Sequence, residues 1–328
     1  MGFPIAGREI QCVVFGLNGT IWDGSAAEDG PAGIRPFQEI QQFLKSARDA
    51  GARLAVAAKD DMKNAVAPFE CRPEMILKRA DISVFCANWD GNAENLPAIR
   101  KALGVDYDSM LFLEADPFER ELVRGLFPEA LVPELPLDPA GFRLSTPAAG
   151  LADLDAFLES LDMRVELAPL EHIHVRQAVG FLARNSQFNL AVRRYTEAEC
   201  ESLLRNPAIL PLMVRLRDQL CDYGLIAVLV LSVGEDEITI QDWVMSARLA
   251  GRGIEEYLMN SAVGEARRRG CTRVAGEYTC SAANGMVREL YARFGFTMFG
   301  DDPDRAFWLL PVMAYDPMPT FVRGSRGE

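Results

Sequence analysis

Cys12-Val-Val-Phe-Gly-Leu-Asn-Gly-Thr-Ile-Trp-Asp-Gly24 opens on a continuous apolar run, Cys12 to Phe15, that stops at Gly16. An unbroken run with no in-out alternation reads as a strand buried on both faces. Four similar runs follow: Arg53 to Ala57, Ile82 to Cys86, Met110 to Leu113 and Ala130 to Val132. Between the first two, Pro36 to Gly51 sets Phe37, Ile40, Phe43, Leu44 and Ala47 at helical spacing, and Gly51 stands where a C-cap belongs. This β-α-β series predicts an α/β fold whose parallel sheet is covered on both faces, with a ligand crevice at the carboxyl ends of the strands.

The chain has 328 residues, 49% hydrophobic and 25% charged, more than one ordinary core holds, so two soluble domains are expected. Its 34 basic and 47 acidic residues give a net charge of −13, which repels phosphate backbones and argues against a nucleic-acid partner. The longest apolar stretch, Leu225 to Leu231, is far shorter than the roughly 18 to 20 residues of a membrane helix. Residues 1 to 20 lack a basic segment ahead of an apolar one, so neither a membrane nor export is expected. Seven scattered cysteines without a CxxC pair, and only two histidines, His172 and His174, point to reduced thiols, a cytoplasmic location and no zinc site.

The Pro- and Ala-rich stretch Leu131 to Gly150 reads as a linker, followed by a helix from Leu151 to Met163 that closes the first domain. Domains of 1–165 and 166–328 are therefore expected. Beyond that point Thr196-Glu-Ala-Glu199 is a capping box. Gly224 to Val233 and Ile238 to Met245 form a hairpin pattern around the acidic turn Gly234-Glu-Asp-Glu237. Helices are expected at Gly253 to Arg269 and Asn284 to Phe294, with strands at Arg273 to Tyr278 and Ala306 to Val312. The turn Arg248-Leu-Ala-Gly-Arg-Gly253 joins an apolar strand to a long helix, where backbone N–H groups and the helix N-terminus suit a pyrophosphate; a turn that merely needs small residues is the plainer account.

The segment Phe15-Gly-Leu-Asn-Gly-Thr-Ile-Trp-Asp-Gly24 resembles the first motif, DxDxT, of the haloacid dehalogenase (HAD) superfamily, and more closely the DLDNTLWGG form of FkbH-like proteins of polyketide assembly. Three further segments match that family in order: Ala57-Ala-Lys-Asp60, Asn88-Trp-Asp-Gly-Asn-Ala-Glu-Asn-Leu96 and Leu113-Glu-Ala-Asp-Pro-Phe-Glu-Arg-Glu-Leu-Val-Arg124. The resemblance implies a HAD-like, Rossmannoid parallel sheet. It also marks five departures. The nucleophilic and acid–base aspartates are replaced by Gly16 and Asn18, the phosphate-holding serine by Ala58, the lysine by Asn92, and the Mg²⁺-holding acidic pair by Glu114 and Ala115. Glycine cannot attack and an amide cannot exchange a proton at neutral pH, so phosphoryl transfer and bound Mg²⁺ are not expected. Asp23, Asp60 and Asp116, nearby in sequence, read as capping or turn carboxylates.

The R-x-x-G-x-G of Arg248 to Gly253 resembles the acyl-CoA pyrophosphate loop of GNAT acyltransferases, and Asn284 to Phe296 resembles their N…LYxxxGF motif. The resemblance implies a mixed α/β second domain. It implies coenzyme A or a phosphopantetheine thioester on Arg248, Gly251, Arg252, Gly253, Ile254 and Asn284, with Tyr291 protonating the departing thiolate. Gln187-Phe-Asn-Leu190, Arg193-Arg-Tyr195, Asp242-Trp-Val-Met-Ser246 and Gly276-Glu-Tyr278 have counterparts in FkbH-like proteins, so that resemblance spans about residues 10 to 315. Where that family has W-x-M-S-C-R, with a cysteine taken to carry the acyl group, this chain has Ala247, and Cys280 is the nearest alternative thiol.

Glu277, at the end of a strand, is a candidate base, and Gln187, Asn189 and Trp243 are candidate pocket residues; a solvated carboxylate, core amides and a buried indole are the plainer accounts. His172 and His174 share a face only on a strand and are expected on the surface of one. Arg267-Arg-Arg-Gly270 reads first as a helix end, then as a dock for an acidic carrier protein. Together these features predict an FkbH-like protein of polyketide or nonribosomal peptide biosynthesis. Its phosphatase site is lost, and its GNAT-like half acts on an acyl or aminoacyl thioester of CoA or of an acyl or peptidyl carrier protein. A non-catalytic scaffold that binds a carrier protein is the alternative. Glyceryl transfer to a carrier would need a carboxylate where Gly16 stands and a thiol where Ala247 stands.

Overall fold

The computed structural model describes residues 3–5, 7–135, 154–302 and 304–325. The chain divides into two compact units, Met1–Phe157 and Leu158–Glu328. This division falls before the one expected at residue 165, because Arg164 and Val165 already pair in the second unit's sheet. Most of the expected linker, residues 136–150, lies outside the described residues, as do 151–153; the helix after them runs Leu154–Ser160.

In the first unit β1 (Cys12–Phe15), β2 (Arg53–Lys59), β3 (Val84–Asn88) and β4 (Met110–Leu113) form a wholly parallel sheet in the order β3-β2-β1-β4. Each strand leads into a helix: α1 (Gln38–Asp49), α2 (Met62–Cys71), α3 (Asn92–Leu103) and α4 (Pro117–Leu126). Every residue of β1 and β4 is buried, as continuous apolar strands in a two-sided sheet must be. Leu44 and Ala47 of α1 pack into the same core as Val13, Phe15, Leu54 and Leu111. The fifth expected strand, Ala130 to Val132, is reduced to one bridge, Leu131 to Leu111. Pro133 follows at once and has no N–H to extend the ladder.

The second unit is built on one mixed sheet. Its strands are β5 (Arg164–Pro169), β6 (Phe188–Asn189), β7 (Ile209–Arg217), β8 (Asp222–Val233), β9 (Glu237–Met245), β10 (Arg273–Thr279), β11 (Thr297–Asp302), β12 (Arg305–Pro311) and β13 (Arg323–Ser325). The order is β11-β12-β10-β9-β8-β7-β5-β13, and β6 pairs with β9. Its helices are α5 (Val175–Arg184), α6 (Glu197–Arg205), α7 (Ile254–Arg269) and the one-turn α8 (Leu290–Arg293). The capping box is formed: Thr196 Oγ1 accepts from Glu199 N–H, and Glu199 accepts from Thr196 N–H. The β8–β9 hairpin closes through Gly234 N–H to the Glu237 carbonyl. The protein is thus a mixed α/β chain, with a parallel sheet in the N-terminal unit and a mixed sheet in the C-terminal one.

Two expectations change here. The helix predicted for Asn284 to Phe294 is split into a 3-10 turn, Gly285–Val287, and α8, since Gly285 favours no helix and the Asn284 side chain is spent on Ser281 N–H. His172 and His174 stand on a 3-10 turn that leads into α5, not on a strand; His172 is exposed and His174 half-buried. Arg267, Arg268 and Arg269 stand in the last turn of α7, but none caps its own helix: Arg267 donates to the carbonyls of Val312 and Tyr315, while Arg268 and Arg269 pair with Glu265. No helix among the described residues is long and apolar enough to cross a membrane.

Candidate active site

The second unit's sheet forks between β9 and β10. The two strands run parallel only from Glu237–Arg273 to Ile240–Gly276. A bulge then inserts Gln241, because Leu231 faces Ile240 while Val230 faces Asp242. Beyond it β9 pairs with β6 instead. Residues 188–190 wedge into the opening: Leu190 N–H donates to the Trp243 carbonyl at 3.1 Å, and Thr279 N–H donates to the Leu190 carbonyl at 2.8 Å. Asn284 pins the wedge. Its Nδ2 donates to the carbonyls of Asn189 (2.7 Å) and Thr279 (2.9 Å), and its Oδ1 accepts from Ser281 N–H and Tyr278 Oη. Asn189 Oδ1 accepts from Val192 N–H, closing a turn in which Val192 holds φ 56°, a strained value for a β-branched residue.

Tyr291 and four charged or polar side chains meet at this fork. The Tyr291 ring lies against Gly276, where a Cβ would come 2.2 Å from its Cζ and 2.5 Å from its Oη. The ring is fully buried, and its hydroxyl has no hydrogen-bond partner among the described residues. Burial pushes that hydroxyl's pKa well up, with Asp242 and Glu277 adding to the effect, so the phenol keeps its proton. Asp242 is 1% exposed; its Oδ2 accepts from Tyr195 Oη, and its Oδ1 has no partner. Burial raises the Asp242 carboxyl to about 6, offset by Tyr195 and Arg193 and reinforced by Glu277. Arg193 bridges the two acids, 3.6 Å from Asp242 and 3.2 Å from Glu277. Glu277 is also held by Arg305 at 3.6 Å and Thr279 Oγ1 at 3.3 Å. A buried donor, the Tyr291 hydroxyl, and a buried acceptor atom, Asp242 Oδ1, are therefore both left without a partner among the described residues at the fork.

The Gly-rich turn leads from β9 into α7. Gly251 and Gly253 hold φ of 82° and 83°, which other residues reach only under strain. Arg248 is exposed, but Arg252 is 2% exposed and folds back onto Tyr223 and the Arg248 carbonyl. Ile254 is buried. Glu255, in the first turn of α7, accepts from Gly251 N–H at 2.9 Å. Of the expected pocket residues, Gln187, Asn189 and Trp243 are all buried, and the Trp243 indole packs between Phe188 and Phe294.

In the first unit Gly16 and Asn18 follow β1, Ala58 is near the end of β2, Asn92 opens α3 and Glu114 follows β4; Gly16, Asn92 and Glu114 are in contact. A Cβ at Gly16 would lie 1.9 Å from Glu114 Oε2, so the Glu114 carboxyl fills the space a side chain at position 16 would need. Glu114 accepts from Asn92 Nδ2 (2.7 Å), Thr20 Oγ1 (3.3 Å) and Asp116 N–H (3.0 Å). Asn18 accepts from the Trp22 indole; Asp116 caps α4 by accepting from Phe118 N–H, and Asp60, one residue before the cap of α2, accepts from Asp61 N–H and Asn64 Nδ2 as a turn carboxylate. Asp23 pairs with Arg35 on the surface. These residues do not fit a divalent cation: Gly16, Asn18 and Ala115 bring no charged ligand, and Glu114 is engaged. No three His, Cys, Asp or Glu among the described residues group for a metal.

Burial lifts the Glu114 carboxyl from 4.5 to about 7, with Asp116 and Glu119 adding to it and the Asp116 N–H opposing it. The unfolded chain releases this proton near 4.5 and the folded one near 7. Stability therefore falls as pH rises between those values, by roughly 3 kcal/mol, and stays lower above pH 7. Asn92 Oδ1, which has no partner, could receive a new donor if the amide turned over. Glu114→Gln supplies that donor and removes the titration. Urea unfolding at pH 5 and pH 8 should show the variant gaining about 3 kcal/mol on the wild type across the interval; parallel pH curves for the two proteins would contradict it.

Residues 183–296 match the acetyltransferase (GNAT) family. The C-terminal unit carries a GNAT acetyltransferase domain. Among solved structures, the N-terminal part of a Bacteroides fragilis protein, containing a phosphatase domain and complexed with Mg, is 36% identical over 43% of this chain and 41% of that one, with a TM-score of 0.38. The present chain thus spans about two fifths of that relative's length. The ribosomal-protein-S18-alanine N-acetyltransferase of Escherichia coli is 18% identical over 45% of this chain and 94% of its own, with a TM-score of 0.36. A spermidine N-acetyltransferase variant from Vibrio cholerae is 16% identical over 46% and 95%, also at 0.36. No curated protein matches the chain.

Within the GNAT domain the structure joins Tyr291 and Glu277 at the fork and places Asn284 on its wall, but it adds three residues to which sequence reading gave no role: Asp242, Arg193 and Tyr195. The signal was present, since Asp242 is a lone charge inside the apolar strand Ile238 to Met245.

Proposed function

We propose that the GNAT domain transfers an acyl group directly from a thioester to an acceptor bound beside it. The N-terminal unit has lost phosphoryl transfer, and the chain is an FkbH-like protein serving a carrier protein in polyketide or nonribosomal peptide biosynthesis. The observation that carries the first part is the fully buried, unpartnered Tyr291 hydroxyl beside Asp242, whose Oδ1 is also unpartnered. In the step they support, the acceptor attacks the thioester carbonyl, the C–S bond breaks, and Tyr291 gives its proton to the leaving thiolate. The acceptor's proton passes to a carboxylate. Asp242 offers a free oxygen, whereas both oxygens of Glu277 are engaged by Arg193, Arg305 and Thr279.

Direct transfer follows from Ala247, which has no thiol to carry the acyl group, and from Cys280, whose Sγ lies on the surface near the Ser281 carbonyl. The loss of phosphatase chemistry is supported by Glu114 occupying the place above Gly16. The test is intact-mass spectrometry of candidate carrier proteins incubated with the protein and a panel of acyl thioesters. Tyr291→Phe should lower transfer about 100-fold while leaving thioester binding nearly unchanged. Unchanged turnover in that variant, or a stable acyl adduct on the protein with donor alone, would overturn the mechanism.

A second reading, a binding protein without turnover, is favoured by the wedge of residues 188–190, which fills the fork between β9 and β10, and by the full burial of Tyr291. Failure of every acyl donor to change the mass of any carrier would select it.

A further inference from the structure

Glu255 is the feature of the GNAT domain that the Gly-rich motif does not explain. Its side chain is 1% exposed, although it sits in the first turn of α7, where backbone N–H groups are free to meet an anion. Oε1 already takes the Gly251 N–H, at 2.9 Å, and Oε2 is buried with no partner among the described residues. Glu256 adds a second carboxylate to the same turn. The cation facing them, Arg293, lies 3.6 Å from Glu255 and 3.5 Å from Glu256, so it is shared between the two acids. Arg252 points inward, and the Gly253 carbonyl is capped by Thr320 Oγ1 at 2.6 Å, so the chain also covers the turn from its C-terminal side. Arg248 alone of the turn's arginines is exposed.

We infer that Glu255 makes this turn reject a diphosphate, so that the thioester the site admits carries no nucleotide: a pantetheine arm, free or attached to a protein. This rests on the thioester reading of the fork and sharpens it, because coenzyme A and a nucleotide-free arm differ in the diphosphate that would have to lie on the Gly251–Gly253 turn. Two separate effects oppose a diphosphate there. Its oxygens would lack the Gly251 N–H as a donor, and they would meet the acceptor oxygen Oε2; burial and Glu256 hold the Glu255 carboxyl above the usual range, so this second effect grows as the carboxyl ionises.

The full-length protein, Glu255→Gln and Glu255→Gly would each be titrated by calorimetry with coenzyme A and with S-acetylpantetheine, after a melt confirms folding. S-acetylpantetheine should bind all three alike. Coenzyme A should bind the wild type no better than S-acetylpantetheine does, Glu255→Gln about tenfold better, and Glu255→Gly about 100-fold better. The Gln variant removes the charge but keeps an oxygen for Gly251, so it separates the two effects and serves if the Gly variant does not fold. Wild-type affinity for coenzyme A tenfold or more above that for S-acetylpantetheine would overturn the inference while leaving the transfer reading intact. If neither compound binds any of the three proteins, an S-acetylated pantetheinyl carrier protein is the last arm: its binding assigns the arm to a protein source and supports the inference. Its failure removes the thioester reading and the inference together.

Discussion

Gly16→Asp, which would put a carboxylate back at the end of β1, is expected to cost the N-terminal unit about 3 kcal/mol or more and to return no phosphatase activity. The new Cβ would fall 1.9 Å from Glu114 Oε2 and 2.8 Å from its Cδ, well inside contact distance. Glu114 has no exit, being buried and held by Asn92, Thr20 and the Asp116 N–H. A second carboxylate would then share a dry site with the first, which raises the cost further. Pairing the change with Glu114→Ala should recover most of the stability, giving a large coupling energy in a double-mutant cycle. Hydrolysis of p-nitrophenyl phosphate should stay at background in both variants, because Asn18 and Ala58 still supply neither proton nor phosphate contact. A single variant as stable as the wild type would show that Glu114 moves aside freely.

Gly276→Ala should be the most damaging one-carbon change in the GNAT domain. Gly276 lies in β10 with Ile240 on one side and Trp308 on the other, so its backbone cannot retreat. The added methyl would sit 2.2 Å from Tyr291 Cζ, and that ring is confined by Phe296 and Trp308. Overpacking of this kind costs about 1–3 kcal/mol, and displacing the Tyr291 hydroxyl should lower transfer by at least 100-fold. Thermal melts and the carrier-protein mass assay would read the two losses separately. Combined with Tyr291→Ala, the total loss of stability should be well below the sum of the two single losses, which distinguishes a displaced ring from a general collapse.

Much of the fold is legible in the sequence where one residue type repeats a physical demand. β1, β2 and β4 are unbroken apolar runs because a parallel sheet covered on both faces leaves no wet side. β5 escaped notice because Arg164-Val-Glu-Leu-Ala-Pro169 lies near the edge of the sheet, buries only Val165 fully and ends in proline. The site divides in the same way. Tyr291 and the Gly251–Gly253 turn stand in local motifs and were found there. Glu114 is visible as a replaced acid, but its occupation of the space at Gly16 depends on two strands meeting, Gly16 N–H donating to the Leu113 carbonyl, which no local pattern encodes. Glu255 sits two residues past Gly253 and reads as an ordinary helix-start acid. Only its burial shows that it has turned into the loop.

The outermost strand of the GNAT domain's sheet sets a schedule for synthesis. β13 pairs in parallel with β5, Arg323 beside Arg164 and Ser325 beside Glu166, so the last of the described strands docks against the first strand of its unit. A ribosome must therefore deliver nearly the whole unit before this contact forms, and β5 stays an open edge on the nascent chain until then. Such a closure meets its loop entropy late, and long-range pairing of this kind is slow to form. A reading frame cut just before Arg323 would leave β5 exposed for good, and its product should accumulate in inclusion bodies even though every residue of the fork has been translated.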